Sequence, residues 1–217
     1  ADNVSHGEDA REYVVVHNAV PGGLERTIVD RLEMDPTKIK NLKLTGKITN
    51  EDYYFMRDKM TSLQRINLKE VESICKGEVD PNGVRCASTY CIPFEAFSQK
   101  STLIKCVLPD KLERIENDAF RNTALTGTVL LPEGLKYISG FYRTPITHVY
   151  FPSTLEEIGP QTFFGCSSLM SEISFPESLL KIGNHAFFGS AIKGNLVLPH
   201  NLESIGNYAF TQCSGLS

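Results

Sequence analysis

One pattern of apolar and polar positions recurs five times in the second half of the chain. Each copy has apolar residues at alternate positions, then a proline, a leucine three residues later and an isoleucine three residues after that. The prolines are Pro109, Pro132, Pro152, Pro176 and Pro199, spaced by 23, 20, 24 and 23 residues. Four of the copies continue to an inward phenylalanine, namely Phe120, Phe163, Phe187 and Phe210. This regularity predicts a chain built from stacked units of 20–24 residues.

The spacing within one unit predicts its local structure. Alternating apolar residues form a short strand with one face inward, and the proline ends that strand because it has no N–H for the ladder. The leucine, isoleucine and phenylalanine then anchor an irregular return, with Gly159, Gly183 and Gly206 expected to form a tight bend after the isoleucine. One unit has too few apolar residues to close a core, so the units must stack into a solenoid with a wall of parallel strands.

The strand pattern also occurs earlier in the chain in a diverged form. The spacing of Leu103, Cys106 and Leu108 is repeated in two preceding sets, Ile39, Leu42 and Leu44, and Leu63, Ile66 and Leu68. Between these sets, residues 49–52 are a typical helix start, which predicts a short helix over residues 53–60.

A strand and a helix are predicted ahead of the diverged repeats. Residues 13–16 form a short apolar run that predicts a strand. A helix is expected to open near Pro21 and to bury one apolar face, formed by Leu24, Ile28, Val29 and Leu32.

Three segments follow from these patterns. Residues 1–38 are predicted to be an N-terminal cap of one strand and one helix, with flexible first residues. Residues 39–102 are predicted to be diverged repeats with an inserted loop at 75–91, and residues 103–217 regular repeats with a truncated last copy. The expected fold is an α/β-type repeat solenoid of short parallel strands and irregular returns, with an N-terminal α/β cap.

The repeat unit resembles the BspA-like class of leucine-rich repeats. The resemblance rests on the order Leu, Val, Leu-Pro, Leu, Ile, Ala-Phe and Cys, and covers about residues 103–217. It implies a right-handed leucine-rich-repeat solenoid, export to the cell surface or periplasm of a Bacteroidetes bacterium, and adhesion or protein binding. The class has no shared catalytic residues, so the resemblance implies none in this chain.

Charge and hydropathy narrow the classes of partner. Lys and Arg total 22 against 26 Asp and Glu, a net charge of −4, whereas nucleic-acid-binding proteins carry a basic surplus. No apolar run approaches the roughly 18 residues of a membrane span. Lys38, Lys40, Lys43 and Lys47 form a small basic cluster, interpreted as a solvated strand face with a polyanion contact as the alternative. The expected partner is a protein or glycan at the cell surface.

The six cysteines fall into two groups. Cys106, Cys166 and Cys213 occupy inward repeat positions and are interpreted as packing residues. Cys75, Cys86 and Cys91 lie in or beside the inserted loop, where an exported protein could form a Cys86–Cys91 or a Cys75–Cys86 disulfide. No paired C-x-x-C motif or close histidine favours zinc.

No sequence motif indicates catalysis. The five histidines are scattered along the chain, and there is no phosphate-binding loop or H-E-x-x-H motif. We therefore expect no enzymatic activity, no cofactor and no bound metal.

The candidate binding residues come from the geometry of the repeat. The strand residue between the two inward ones points away from the core, which places Val107, Leu130, Tyr150, Ser174 and Val197 in one row. Two residues earlier on the same face lie Lys105, Thr128, His148, Glu172 and Asn195. An apolar row flanked by polar groups is typical of a recognition surface, although strand propensity alone also favours such residues. The partner-binding prediction rests on Lys105, Val107, Leu130, His148, Tyr150 and Val197.

The leading hypothesis is an exported, non-enzymatic repeat protein that binds a macromolecular partner through its strand-lined face. A structural scaffold segment of a larger cell-envelope protein and a glycan-binding module are the two alternatives.

Overall fold

All the hydrogen-bonded strand pairs run parallel in the computed structural model, which describes residues 12–75 and 90–217. In chain order the strands are β1 (Val14–Asn18), β2 (Asn41–Ile48), β3 (Arg65–Ser73), β4 (Cys91–Ile92), β5 (Lys105–Val107), β6 (Arg114–Ile115), β7 (Gly127–Leu130), β8 (Tyr137–Ile138), β9 (Ile146–Tyr150), β10 (Glu157–Ile158), β11 (Lys181–Ile182), β12 (Lys193–Gly194), β13 (Ser204–Ile205) and β14 (Gly215–Leu216). The helices are a π-helix at Arg26–Arg31, a 3-10 turn at Pro36–Lys38 and α1 (Asn50–Asp58). The predicted parallel-strand solenoid is confirmed.

One side of the solenoid is the strand wall, which consists of three hydrogen-bonded groups, β1-β2-β3-β5, β7-β9 and β12-β14. Leu42 of β2 pairs with Ile66 of β3, and Ile66 pairs with Cys106 of β5. The residues that share the repeat spacing therefore lie in one row, as the sequence predicts.

A second sheet follows the isoleucines of the repeat. Strands β4, β6, β8, β10, β11 and β13 are each two residues long and form one continuous six-stranded sheet, here called the narrow sheet. Ile115, Ile138, Ile158 and Ile182 sit at equivalent positions in this sheet and are almost completely buried. The prediction of an irregular return was wrong at this point, because the backbone of each turn bonds to the next one here.

Stacked phenylalanine rings form the centre of the core. The rings of Phe120, Phe141 and Phe163 follow one another with centroids 5.1 and 5.8 Å apart, and Phe187 continues the stack at 5.2 Å. The N–H groups of Phe120, Phe163 and Phe187 each also donate to a carbonyl of the next turn, as Phe163 does to Ala186 at 2.7 Å. The one shortened repeat, which reaches Phe141 early, keeps this ring in the stack.

The glycines after the isoleucines allow close packing between turns. Gly183 has no left-handed backbone conformation, but a Cβ built on it would lie 2.6 Å from the backbone of Gly159. The left-handed residues come two positions later, at His185 and Tyr208 in the last two turns. The predicted tight bend at the glycines was wrong: Gly183 is required because the backbone of the preceding turn approaches too closely for a side chain.

The segment before β2 packs only half of its predicted apolar face. Leu24 and Ile28 are fully buried, whereas Val29 and Leu32 are exposed. Val29 lies in a π-helix at Arg26–Arg31 and Leu32 directly follows it, so these residues do not keep the angular spacing of an α-helical stripe. The prediction that Val29 and Leu32 are buried was therefore wrong.

The loop beside β4 is closed by a disulfide between Cys75 and Cys91, whose Cα atoms are 5.7 Å apart. Ile74 and Tyr90 form an isolated antiparallel bridge, which brings the two cysteines side by side. Both predicted pairings were therefore wrong, since each used Cys86. Cys86 and most of the predicted inserted loop, like the predicted flexible start of the chain, lie outside the described residues.

The last turns of the strand wall depart from the repeat pattern. Strands were predicted around Ile173 and Leu196, but the structure has an isolated bridge between Glu172 and Lys193 and places β12 at Lys193–Gly194. Leu198, one of the two inward residues predicted to flank Val197, is 45% exposed.

Helix α1 receives a lysine from a later turn at its C-terminal end. The Lys100 ammonium donates to the carbonyls of Met60 and Arg57 at 2.8 and 3.1 Å, and the residue is almost completely buried. Burial lowers the pKa of Lys100 from the usual 10.5 to about 8, although the nearby Asp58 carboxylate opposes the change. Lys100 therefore caps carbonyls that have no partner within the helix.

We expect the Lys100 contribution to stability to grow as the pH rises from about 8 towards 10. The pKa of Lys100 is lower in the folded chain, so the unfolded chain binds the additional proton in this range and deprotonation favours folding. The neutral amine keeps two donors for the two carbonyls. In urea unfolding, the free energy of unfolding of the wild type should rise by on the order of 1–2 kcal/mol relative to that of Lys100→Met between pH 7 and 9.5. A difference that stays constant or shrinks with pH would contradict this assignment.

Candidate partner-binding surface

The outward strand positions form a row of exposed side chains, here called the outer row, which consists of Val107, Leu130, Tyr150, Ser174 and Val197. Leu130 is 75% exposed, Tyr150 61% and Val197 72%. Ser174 is also exposed, and Val107 is half-buried. The alternating pattern of the strands thus leaves three large apolar side chains facing solvent on the same wall.

Strands β7 and β9 bring together two residues of the outer row and two of the polar residues that flank it. Leu130 pairs in register with Tyr150, and Thr128 pairs with His148. A polar pair therefore lies beside an apolar pair on the outer face of this two-stranded group. The imidazole of His148 also lies 3.0 Å from the hydroxyl of Thr147, which holds the ring beside the strand.

The other predicted site residues lie farther along the wall. Lys105 and Val107 are on β5, which pairs with β3, and no strand ladder joins β5 to β7 among the described residues. Val197 follows β12 in a segment without strand structure. The predicted residues share one face, but the wall divides them into three groups.

A shallow depression beside β9 collects polar groups from three turns. It has a volume of about 510 Å³ and is lined among others by His148, Tyr150, Met170, Glu172, Lys193 and Asn195. We call it the Tyr150 depression. The repeat pattern identifies His148, Tyr150, Glu172 and Asn195 as residues of one face. It does not identify Met170 or Lys193, because both lie outside the alternating strand positions.

The lysine cluster near β2 is a solvated face. The Lys43 ammonium lies 2.8 Å from the Glu70 carboxylate, and Lys47 lies 3.7 Å from Glu72. These partners are on the adjacent strand β3, so ion pairs between neighbouring strands balance two of the four lysines. This supports the interpretation as a solvated strand face.

The free cysteines of the described chain are not reactive centres. Cys166 and Cys213 are buried and donate to the carbonyls of Phe141 and Phe187 at 3.1 and 3.0 Å. Burial raises the pKa of Cys166 to about 11 and raises those of Cys106 and Cys213. Because the thiolate is the reactive form, these thiols have a packing role.

Within residues 12–75 and 90–217, no group of three or more His, Cys, Asp or Glu side chains could hold a metal ion. None of the helices in the same ranges combines the length and apolarity that a bilayer crossing requires.

The fold and the surface define a class: a leucine-rich-repeat solenoid with an exposed face on its strand wall. A family model described as the BspA type leucine-rich repeat region matches residues 90–217 with six copies. The chain belongs to the BspA-type leucine-rich repeat family.

One solved structure shows the same fold at low sequence identity, and two others match with TM-scores below 0.5. A leucine-rich repeat protein of T. pallidum is 20% identical with a TM-score of 0.56, covering 95% of this chain and 84% of its own. A leucine-rich cell surface protein from Faecalibacterium prausnitzii is 20% identical with a TM-score of 0.40, covering 94% of this chain and 41% of its own. A leucine-rich repeat protein from Bacteroides ovatus is 17% identical with a TM-score of 0.43, covering 95% and 64%.

This chain therefore spans less than two thirds of the length of the latter two proteins. The comparison with curated proteins found no match.

Proposed function

We propose that the chain is an exported, non-enzymatic binding protein whose strand wall binds a protein partner through the outer row. The observation that carries the proposal is the exposure of Leu130, Tyr150 and Val197 on one wall of the solenoid. Clustered apolar side chains rimmed by polar groups are a mark of interaction surfaces. Burying one of them in an interface contributes about 1.5–3 kcal/mol.

The polar neighbours of the row supply the specificity that such a surface requires. His148 and Thr128 lie on the same face of the β7-β9 pair. Lys105 on β5 and Glu172, which bridges to Lys193 of β12, carry opposite charges on either side of that pair. Tyrosine is among the residues that most often anchor interfaces, because it combines large apolar area with a hydroxyl. The stacked core holds these side chains in place, so binding requires little additional ordering of the backbone.

Two observations support export and a non-catalytic role. The Cys75–Cys91 disulfide is typical of proteins that fold in oxidising compartments. The thiols of Cys106, Cys166 and Cys213 have raised pKa values because they are buried, so they do not supply nucleophiles at neutral pH.

A glycan is the second candidate partner, and the Tyr150 depression favours it. An exposed tyrosine ring there lies among carboxylate, amide, ammonium and imidazole groups, from Glu172, Asn195, Lys193 and His148. Saccharides bind to such mixtures because their C–H faces pack on aromatic rings and their hydroxyls exchange hydrogen bonds with polar side chains.

A binding screen tests the proposal directly. The folded chain is screened against extracellular-matrix proteins and surface glycans, together with the double variant Tyr150→Asp/Val197→Asp. We expect a protein partner whose affinity falls by roughly tenfold or more in the double variant, because two charges enter the apolar contact.

Tyr208→Asp is the matched control for the screen. Tyr208 is 63% exposed, much like Tyr150, but it follows β13 in a return segment, where it stacks on His185 at 5.2 Å. A partner lost equally in both variants would place the site away from the strand wall. A glycan that binds instead of a protein would favour the second candidate. If no protein or glycan binds the folded chain, the result would favour the scaffold alternative.

A further inference from the structure

The strand wall is split between β5 and β7 by a cleft of about 510 Å³, here called the β5–β7 cleft. The two strands begin together, since the Thr126 N–H donates to the Ile104 carbonyl at 3.3 Å. Beyond that bond no ladder joins them in the part of the chain that the structure describes, and Gly127 takes a left-handed conformation with φ +80° at the point where they diverge. The cleft is therefore a wedge that is closed at the strand starts and open towards Leu108 and Pro132.

The cleft reaches the apolar core. Its inner surface includes Phe120, Phe141, Leu125 and Ile146, all of which are buried side chains of the repeat. A volume of this size falls within the roughly 300–1,000 Å³ range of small-molecule sites. It accommodates one slender apolar group rather than an element of a folded partner.

The rim of the cleft is predominantly cationic. Among the residues that the structure describes, Arg65, Lys69 and Lys105 line it together with one carboxylate, Asp110. Arg65 and Lys105 are adjacent because they pair in register on β3 and β5. Burial lowers the pKa of Lys105, which shows that its ammonium is partly desolvated. The electrostatic attraction between this ammonium and an anion is therefore stronger than at a fully solvated lysine.

The closed end distinguishes between two kinds of ligand. An extended peptide that added a strand between β5 and β7 would have to pass through both ends of the gap, and the Thr126–Ile104 bond blocks one end. A single apolar tail needs only the open side. We propose that the β5–β7 cleft binds a single-chain anionic amphiphile of the fatty carboxylate class, with its tail on the Phe120–Phe141 surface and its head at Arg65 and Lys105.

This inference goes beyond the proposed protein partner and does not depend on it, because the outer-row test changes Tyr150 and Val197, which do not line the cleft. The probe is dodecanoate, titrated calorimetrically into the full chain at concentrations below micelle formation. We expect saturable binding of one dodecanoate per chain. Dodecyltrimethylammonium, which has the same tail and the opposite charge, should bind much more weakly.

Two cleft variants and one control locate the binding site. Arg65→Glu/Lys105→Glu should weaken dodecanoate binding by roughly ten- to hundredfold, because two charge-assisted hydrogen bonds are replaced by repulsion. Val129→Trp, a half-buried β7 residue on the cleft surface, should remove binding by filling the space. Lys193→Glu is the control, since it reverses one lysine on the same wall outside the cleft and should leave binding unchanged.

The charge-reversal variant decides the question if Val129→Trp fails to fold. Four results would overturn the inference: no saturable binding to the folded wild type, equal affinity in all variants, equal affinity for the cationic amphiphile, or adsorption to anionic phospholipid vesicles without binding of monomeric dodecanoate. The last result would indicate a membrane surface rather than a free amphiphile.

Discussion

Replacement of Phe163 by alanine is expected to lower the free energy of unfolding by about 3–5 kcal/mol. Phe163 is fully buried, and its ring lies 5.8 Å from that of Phe141 and 5.2 Å from that of Phe187. The loss combines the transfer free energy of the ring with the cavity left between two turns that cannot collapse towards each other. Urea unfolding followed by circular dichroism measures the effect.

The adjacent residue is the matched control. Phe164 belongs to a second ring stack, 4.8 Å from Tyr142 and 4.9 Å from Phe188, but it is only half-buried. Its replacement by alanine should therefore lower the free energy of unfolding by less than half as much as Phe163→Ala does. Equal losses at the two positions would mean that the central ring stack is not the main source of stability between turns.

Asp52→Ala is expected to destabilise the chain by about 3–5 kcal/mol. The Asp52 carboxylate is almost completely buried and accepts three backbone N–H groups, from Gly22 at 2.7 Å and from Leu24 and Thr49 at 2.9 Å. Burial raises the pKa of Asp52, and the three donors oppose that change. Alanine leaves three backbone donors without an acceptor, two of them buried, and detaches the start of α1 from the loop at Gly22.

Glu51→Ala is the control for this prediction, because Glu51 is exposed in the same helical turn. Its loss should cost no more than about 1 kcal/mol, the usual contribution of an acidic residue at a helix N-terminus. Amide hydrogen exchange at Gly22 and Leu24 should accelerate in Asp52→Ala and stay slow in Glu51→Ala. Comparable stability of the two variants would rule out Asp52 as the link between these segments.

The sequence predicts the stacking of the chain because the repeat places its anchors at fixed intervals. Leu42, Ile66 and Cys106 share one spacing and pair in one row, although their surrounding residues differ. The outward direction of Leu130, Tyr150 and Val197 follows from the same alternation. Both features depend on the side-chain pattern of a single unit, which is readable from the sequence.

Features that depend on contacts between backbone segments are harder to predict, because they leave a weaker pattern in the amino-acid sequence. The narrow sheet has strands of two residues, too short for an alternating pattern, and it forms because turns that share the isoleucine position stack in register. The β5–β7 cleft is also absent from the pattern, since both strands fit the same repeat. Its origin is the divergence at Gly127, where the backbone and not a side chain changes direction.

Local pairings inside irregular segments are equally hard to predict. The Cys75–Cys91 disulfide depends on the bridge between Ile74 and Tyr90, and no periodicity marks that bridge. Val29 is exposed and lies within a π-helix, whereas the apolar spacing fits an α-helix equally well. In both cases the decisive quantity is the path of the backbone over a few residues.

The measurement that tests the central claim most directly is hydrogen–deuterium exchange of the chain with and without the partner captured in the screen. If the strand wall is the binding surface, amide exchange should slow at residues 127–130, 146–150 and 193–197. The return segment at residues 204–212, which includes Tyr208, should be unaffected. Slower exchange confined to residues 204–212, with the strand wall unchanged, would contradict the proposed function.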